Sequence, residues 1–531
     1  GYIFAGQRIV IDMVPDLRGA GSMDGRAKGG RDLRYLVGVD IGTTNVKALL
    51  FDETGREAGE VRTPSPISPL STGGGIFDAG EIWAVCCRLI MSLVSGQEAQ
   101  GNAGIRDQIA GIAITGMGEA GVPMDGDGRV LYPVIAWFDP RTEAYPAWWD
   151  ETFGGERMFA ITNLKNQHIF TVNKLLWLKE HEPGVFAGTR RWNCMPDFIG
   201  YRLTGNSAMD YSIASRTMML DVRAKTWSDE ILNHAGIPRE ILPETVPSGT
   251  KIGEVTASAA ALCGLKAGTP VFAGGHDHIC GALAASVISP GTVLDSSGTC
   301  EEVLVSVNSL GDTLALSEAG FNTGFHVVPE RFYVSGGIPA SGASVDWFKR
   351  EFSDPASTGS GGTPGAGGLL FLPHLRGSSS PQRDKLSKGA FIGIQLQHHR
   401  EDFMQAVYEG VAFELRLSVE RLLAGRKPDR VVSIGGGTMD ARWLQIKADV
   451  LGAEIEVPAV QECTAFGAAL LAGIGAGVYR NAEEAVQRTF RVGKTVAPRR
   501  EMKDTYDRLY ASYRMLSDTL YPINKALEMT I

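Results

Sequence analysis

The chain has 531 residues, too many for one hydrophobic core, so two domains are expected. Apolar residues make up 44% and charged residues 21%, the balance of a soluble globular protein, and a formal charge of −9 argues against a nucleic-acid-binding surface. No stretch reads as a membrane span, since the longest weakly polar run, Thr464 to Tyr479, is too short and is full of glycine and alanine.

Residues 1–33 look foreign to the fold: "GAGSMDGRAKGGRDLR" is polar and glycine-rich, and Met23 could be a natural start. From Tyr35 the pattern sharpens. "YLVGVD" is a buried strand, "VKALLFDETG" a second, and "IGTTN" joins them. Strand, glycine turn, strand is a hairpin. A P-loop or a Rossmann turn would instead lead from strand into helix. "GIAIT" (111–115) is another strand, and "VPMDGDGRVLYP" reads as a hairpin around Asp125 to Gly128. "KLLWLKEHEP" is a helix that stops at Pro183. "TPVFAGGHDHICGALAAS" reads as strand, glycine turn and helix.

"GTVLDSSGTCEEVLVSV" then echoes the first hairpin, with Gly298-Thr299 in the part of Gly42-Thr43, which suggests two related domains. "SDPASTGSGGTPGAGG" (353–368) is a loop by composition. "EDFMQAVYEGVAFELRLSVERLLA" is an amphipathic helix, and "VVSIGGGTMDARWLQIKADVLG" is strand, triple-glycine turn and helix. "TAFGAALLAGIGAGVY" is a small-residue helix suited to close packing, and a charged helical tail follows. The domain change is placed near residue 282, giving an N-terminal domain over 34–281 and a C-terminal one over 282–531. The seven cysteines are scattered with no C-x-x-C pair, which fits buried reduced thiols in a cytoplasmic protein.

The chemistry concentrates at the turns. Gly42, Thr43 and Thr44 present backbone N–H groups and hydroxyls able to hold phosphate oxygens. Asp40 ends an apolar strand and suits a hydrated Mg²⁺, and Lys47 is placed to meet a phosphate. The plainer alternative is a tight hairpin with a solvated lysine. Gly298-Thr299 could clasp phosphates from the other domain, and Gly435-Gly436-Gly437 lets backbone approach a flat ligand or merely eases a crowded crossing. In "AGGHDHICGAL", Asp277 is a helix cap or a general base. Zinc is disfavoured there, because His276 and His278 have no third ligand at a usual spacing. Glu119 is the lone charge in "ITGMGEAGVPM" and could accept sugar hydroxyls, and "AWFDPRT" adds Trp137 and Arg141, an aromatic face beside a polar group.

These blocks resemble the FGGY carbohydrate kinase family, the group of xylulose, glycerol, gluconate and fuculose kinases. The likeness runs from about Tyr35 to about Tyr479. It is carried in the family's order by "GVDIGTTNVKALLFDETG", "WFDPRT", "KLLWLKEHEP", "DYSIASRTMMLD", "AGGHDHICGAL", "SSGTC", "GAFIGIQLQHHREDFMQAVYEGVAFEL" and "SIGGGTMDARWLQIKADVLG". The resemblance implies an α/β fold of two ribonuclease-H-like (actin-like ATPase) domains with a cleft between them, ATP and Mg²⁺ as cofactors, and often a homodimer. It assigns Asp277 as catalytic base and, with Asp40, to the metal. Gly42, Thr43, Thr44 and Lys47 match the first phosphate loop, Gly298 and Thr299 the second, and Gly435, Gly436, Gly437 and Met439 the adenosine site. Glu119 falls where glycerol kinases bind substrate, with Trp137, Arg141, His168 and His276 as further sugar contacts. Departures exist: Gly118 stands where glycerol kinases carry arginine, Ile169 beside His168 where they carry tyrosine, Met117-Gly118-Glu119 where many xylulose kinases have Met-His, and Cys300 where serine is common.

The reading is an ATP-dependent kinase acting on a small sugar or polyol, a ketose such as xylulose foremost. The rivals are a silent sugar- or nucleotide-sensing regulator and a sugar-independent ATPase of the same superfold.

Overall fold

A computed structural model describes residues 33–311, 313–352 and 362–528. The expected N-terminal extension, except Leu33, and residues 353–361 of the glycine-rich loop lie outside the described residues. The chain folds as two compact units.

The first unit is built on a six-stranded sheet. Tyr35–Ile41 (β1), Asn45–Asp52 (β2) and Glu57–Pro64 (β3) form an antiparallel meander. Ile109–Gly116 (β4) pairs parallel with β1. Lys251–Glu254 (β5) pairs antiparallel with Pro270–His276 (β6), which lies parallel to β4. The order is β5-β6-β4-β1-β2-β3. The central strand β1 is buried at every position, as a strand covered on both faces must be, which explains its unbroken apolar run. The helix Ala79–Ala99 packs on β2 and β3, and the helix Cys463–Gly475 packs on β1, β4 and β6. Ala79–Ala99 is long and apolar enough to cross a membrane, yet Ile82, Val85, Cys86, Leu89, Ile90 and Leu93 are buried in this core.

The second unit repeats the plan. Thr292–Ser297 (β7), Glu301–Val307 (β8) and Phe332–Ile338 (β9) form the meander. Arg430–Ile434 (β10) pairs parallel with β7, Ile455–Pro458 (β11) parallel with β10, and Val492–Val496 (β12) closes antiparallel on β11. A seventh strand, Asn322–Phe325, lies beside β9 at the sheet edge, and the other six, β9-β8-β7-β10-β11-β12, match the first sheet in order and direction. The hairpin echo is therefore structural, and both sheets have the ribonuclease-H-like order that the resemblance implies.

Three expectations need correction. First, no glycine turn separates β6 from its helix: the strand runs through His276 directly into Asp277–Ala284, and Gly274 and Gly275 lie within it at a bulge. A Cβ at Gly274 would fall 1.9 Å from the Ile114 carbonyl oxygen, so glycine is needed for strand packing. Second, the expected turn at Asp125 to Gly128 is present, closed by the Asp125 N–H to the Arg129 carbonyl and an antiparallel Met124–Val130 bridge, but the ladder of Gly121–Met124 is made with Arg191–Cys194 rather than within that hairpin. Third, the expected single change of domain gives way to a chain that leaves the first unit after Ala284 and returns for Gly324–Pro329 and Glu462–Phe490. The small-residue helix Cys463–Gly475 explains the last return. A Cβ at Gly38 of β1 would lie 1.9 Å from the Ala465 carbonyl oxygen, a contact only glycine permits.

Candidate functional site

Parallel pairing aligns the carboxyl ends of β1, β4 and β6. Asp40, Thr115 and Gly275 share one row, and Ile41, Gly116 and His276 the next. Asp277 follows immediately after β6, and Glu119 lies three residues beyond the end of β4. Open α/β sheets bind ligands outside such strand ends.

Asp40 and Asp277 sense each other. Burial, then the Asp277 charge, push the Asp40 carboxyl up to about 7 against the pull of Lys47. Asp40 Oδ1 is buried without a hydrogen-bond partner. Burial also pushes Asp277 up, but His278, His276, the His278 backbone N–H and Arg216 outweigh it and hold it below the usual range. That N–H donates to Asp277 Oδ1 at 2.6 Å. Burial lowers the His276 imidazole, which stays neutral near pH 7. Among the described residues no group of three or more His, Cys, Asp or Glu could hold a metal ion alone. The donor set still fits Mg²⁺, which keeps several waters and takes one or two carboxylates plus substrate phosphates.

The block "DYSIASR" assembles the neighbouring wall. Asp210 caps the helix Tyr211–Ser215 through the Ser212 and Ile213 N–H groups. The Ser212 hydroxyl donates to Asp210 and accepts from the His276 N–H at 2.9 Å, fixing the end of β6. Arg216, next in the chain, donates from Nε to Glu119 Oε1 at 2.6 Å and lies over the Phe170 ring at 5.1 Å. Glu119 is 4% exposed and has a φ of +63°. Gly118 is explained too, since a Cβ there would fall 2.7 Å from His276 Cδ2.

Trp137 Nε1 donates to Thr43 Oγ1 at 3.0 Å, tying "WFDPRT" to the first turn. Arg141 is engaged elsewhere: it pairs with Asp139 at 2.8 Å and stacks over Trp177. The His168 carbonyl accepts from the Thr142 hydroxyl. Beneath this wall the buried Lys174 donates to the Ile169 carbonyl at 2.6 Å and to the Trp137 carbonyl at 3.5 Å. Burial lowers its ammonium to about 8. Lys47 pairs with Glu462 rather than standing open for a phosphate. Arg216, Lys174 and Glu462 were missed from sequence. A lone charge in the apolar stretch after Ile213 was the available signal for Arg216, and a lysine on the apolar face of "KLLWL" that for Lys174.

In the second unit, Gly298 and Thr299 are exposed in the β7–β8 turn, and their carbonyls accept from the Gly342 and Ala343 N–H groups at the start of the helix Gly342–Glu351. A Cβ at Gly435 would lie 2.5 Å from the Ser297 carbonyl oxygen, so the triple-glycine turn packs directly on β7. Met439 beside it is 77% exposed. Below, Lys447 is buried and bonded to Asp295 and Glu301 at 2.9 Å each. Cys300 is exposed, unlike the other six cysteines.

The family models for carbohydrate kinases of the FGGY type match this chain twice, the N-terminal domain over residues 35–284 and the C-terminal domain over 295–476. Xylulose kinase of Bacillus subtilis (strain 168) is 32% identical over 503 residues, 93% of this chain and 99% of that protein. L-xylulose/3-keto-L-gulonate kinase of Escherichia coli (strain K12) is 31% identical, covering 91% and 96%. The crystal structure of xylulose kinase from Rhodospirillum rubrum superposes with a TM-score of 0.83 at 29% identity, over 93% of this chain and all 100% of the other.

Proposed function

The chain belongs to the FGGY family of carbohydrate kinases, and from that premise we propose that it phosphorylates a primary hydroxyl of a ketose of the xylulose type from ATP, with Asp277 as general base. The observation that carries the base assignment is position. Asp277 follows directly on β6, next to the row of strand ends that holds Asp40, and the His278 N–H donates to its Oδ1 at 2.6 Å. Against the push of burial, His278 and His276 hold its carboxyl below the usual range. Asp277 stays ionised and ready to accept.

The substrate hydroxyl gives its proton to Asp277 as its oxygen bonds the γ-phosphorus and the bond to the β-phosphate oxygen breaks. A loose phosphoryl-transfer transition state needs the proton removed only late, so a weakly basic carboxylate suffices. Glu119 orients the sugar, and Trp137 stands between sugar and the Gly42–Thr44 turn, whose N–H groups receive phosphate oxygens. Asp40 and Asp277 would hold Mg²⁺ through water, supplying neutralisation of phosphate charge. Gly298, Thr299, Gly435–Gly437 and Met439 are read as the nucleotide contacts of the second unit.

Asp277→Asn is isosteric and cannot accept the proton. Sugar-dependent ADP release should fall at least about a thousandfold while ADP binding by calorimetry stays within a few-fold. Near-normal turnover would remove the base assignment, and ADP release indifferent to sugar would point to a plain ATPase.

A further inference from the structure

A buried ionic cluster underlies the turns read as nucleotide contacts in the second unit. Lys447 Nζ donates to Asp295 Oδ2 at 2.9 Å and Oδ1 at 3.2 Å, to Glu301 Oε2 at 2.9 Å, and to the Ser297 hydroxyl. The Ser433 hydroxyl donates to Asp295 Oδ2 at 2.7 Å, and the Ser341 hydroxyl to Glu301 Oε2 at 2.7 Å. All six residues are at most 2% exposed. Such a cluster is a weak source of stability, because its charges give up water, and apolar residues of similar volume often hold a fold as well. Its cost shows at Glu301. Burial, then the Asp295 charge, push that carboxyl up to about 7, and its Oε1 is buried without a hydrogen-bond partner among the described residues.

The cluster borders both turns. Ser297 is the last residue of β7 before Gly298, and Glu301 is the first of β8 after Cys300, so one ammonium holds both ends of the Gly298–Cys300 turn. Ser297 also supports the other turn. A Cβ at Gly437 would fall 2.6 Å from Ser297 Cβ, and one at Gly435 2.5 Å from the Ser297 carbonyl oxygen. Ser341, bonded to Glu301, precedes Gly342, whose N–H donates to the Gly298 carbonyl at 3.0 Å. Lys447 itself comes from the helix Ala441–Leu451, which follows the triple-glycine turn.

We propose that Lys447 is a positioning residue for the nucleotide, locking the Gly298–Cys300 and Gly435–Gly437 turns into one preformed surface. ATP then binds without first ordering the backbone that receives it, which is how a preorganised site gains affinity. An apolar side chain would fill the same space. It would not tie β7, β8 and the triple-glycine turn to one point, because only directed hydrogen bonds fix register and orientation together. The inference rests on the nucleotide reading of these turns given above and deepens it.

The test measures ADP binding by calorimetry, and KM for ATP and for a ketopentose, on three proteins. These are the wild type, Lys447→Met, and the triple variant Lys447→Met/Asp295→Asn/Glu301→Gln. The single variant leaves two buried carboxyls unpaired and should melt lower. The triple variant removes all three charges and should melt close to the wild type. Both should bind ADP about ten- to a hundredfold more weakly and raise the ATP KM to match, with the sugar KM within about twofold of the wild type. A role in stability alone would lower the melting point of the single variant and leave the nucleotide affinity of the triple variant untouched. That result overturns the inference, as does an equal weakening of sugar and nucleotide. Failure of the triple variant to fold overturns it too, since the cluster would then serve the fold. A wild type that binds no ADP overturns the nucleotide reading itself. A wild type that binds ADP and phosphorylates no ketopentose counts against the substrate reading alone, and the calorimetry still decides the role of Lys447.

Discussion

Glu409 collects three donors on one oxygen. Gln405 Nε2 lies at 2.5 Å, the Gly365 N–H at 2.7 Å and the Tyr506 hydroxyl at 3.0 Å, all on Oε1, while Oε2 is buried without a partner. Burial outweighs these donors and Arg442, and pushes the carboxyl up to about 7. The native state therefore holds this proton more tightly than the unfolded chain. Between the ordinary carboxyl range and about 7 the folded form binds more protons, so stability falls as pH rises through that window and levels off above it. The whole span is worth about 3 kcal/mol. Glu409→Gln keeps an acceptor without a charge. In denaturant titrations at pH 4.5 and pH 8, its second unit should lose about 3 kcal/mol less than the wild type over that interval. Equal losses in the two proteins would refute the burial argument. The sequence makes Asp40, Glu119 and Asp277 legible because each is a carboxylate where an apolar strand ends. Their partners were not legible. Arg216 lies 97 positions from Glu119 and Glu462 lies 415 from Lys47, and no local pattern encodes a contact across that distance.

Elements were read well where period and punctuation agree. The two glycine hairpins, the triple-glycine turn and the long helix Arg400–Leu422 stand where the pattern put them. The glycines of β6 misled, because sequence does not separate a glycine demanded by a turn from one demanded by a neighbouring backbone. The helix Cys463–Gly475 needs the second kind. A Cβ at Gly467 would fall 1.9 Å from the Cys280 carbonyl oxygen, in the helix that begins with Asp277. Backbone on both sides leaves nothing flexible to give way. Gly467→Ala should destabilise the first unit by about 1–3 kcal/mol and lower kcat by displacing Asp277. Gly96, in the helix Ala79–Ala99, has nothing within 4 Å of its Cβ position. Gly96→Ala should therefore stabilise by about 0.5–1 kcal/mol. Thermal melts of the two variants should move in opposite directions, and a neutral Gly467→Ala would sink the close-packing account.

At the scale of the molecule, the shared strand order of the two sheets shows a repeated domain that the sequence betrays only through its two Gly-Thr turns. Buried strands tolerate exchange among apolar residues, so strand order outlasts identity. Sequence could not show that a helix encoded after β11 covers the first sheet, because chain continuity argues for its neighbours. Yet Cys463 and Ala465 through Gly473 are all buried, and the helix packs on β1, β4 and β6. A fragment of residues 33–284 should therefore lack part of its own core. Alone it would expose the apolar surface that Gly38 brings against Ala465, and exposed surface of that kind drives aggregation. The fragment should show no cooperative thermal transition and should bind a hydrophobic dye. A peptide of residues 462–490 added in trans should restore a transition whose midpoint rises with peptide concentration, because a ligand for the native state stabilises by mass action. A sharp transition from the fragment alone, unmoved by the peptide, would mean that the first unit is complete without its returning helix.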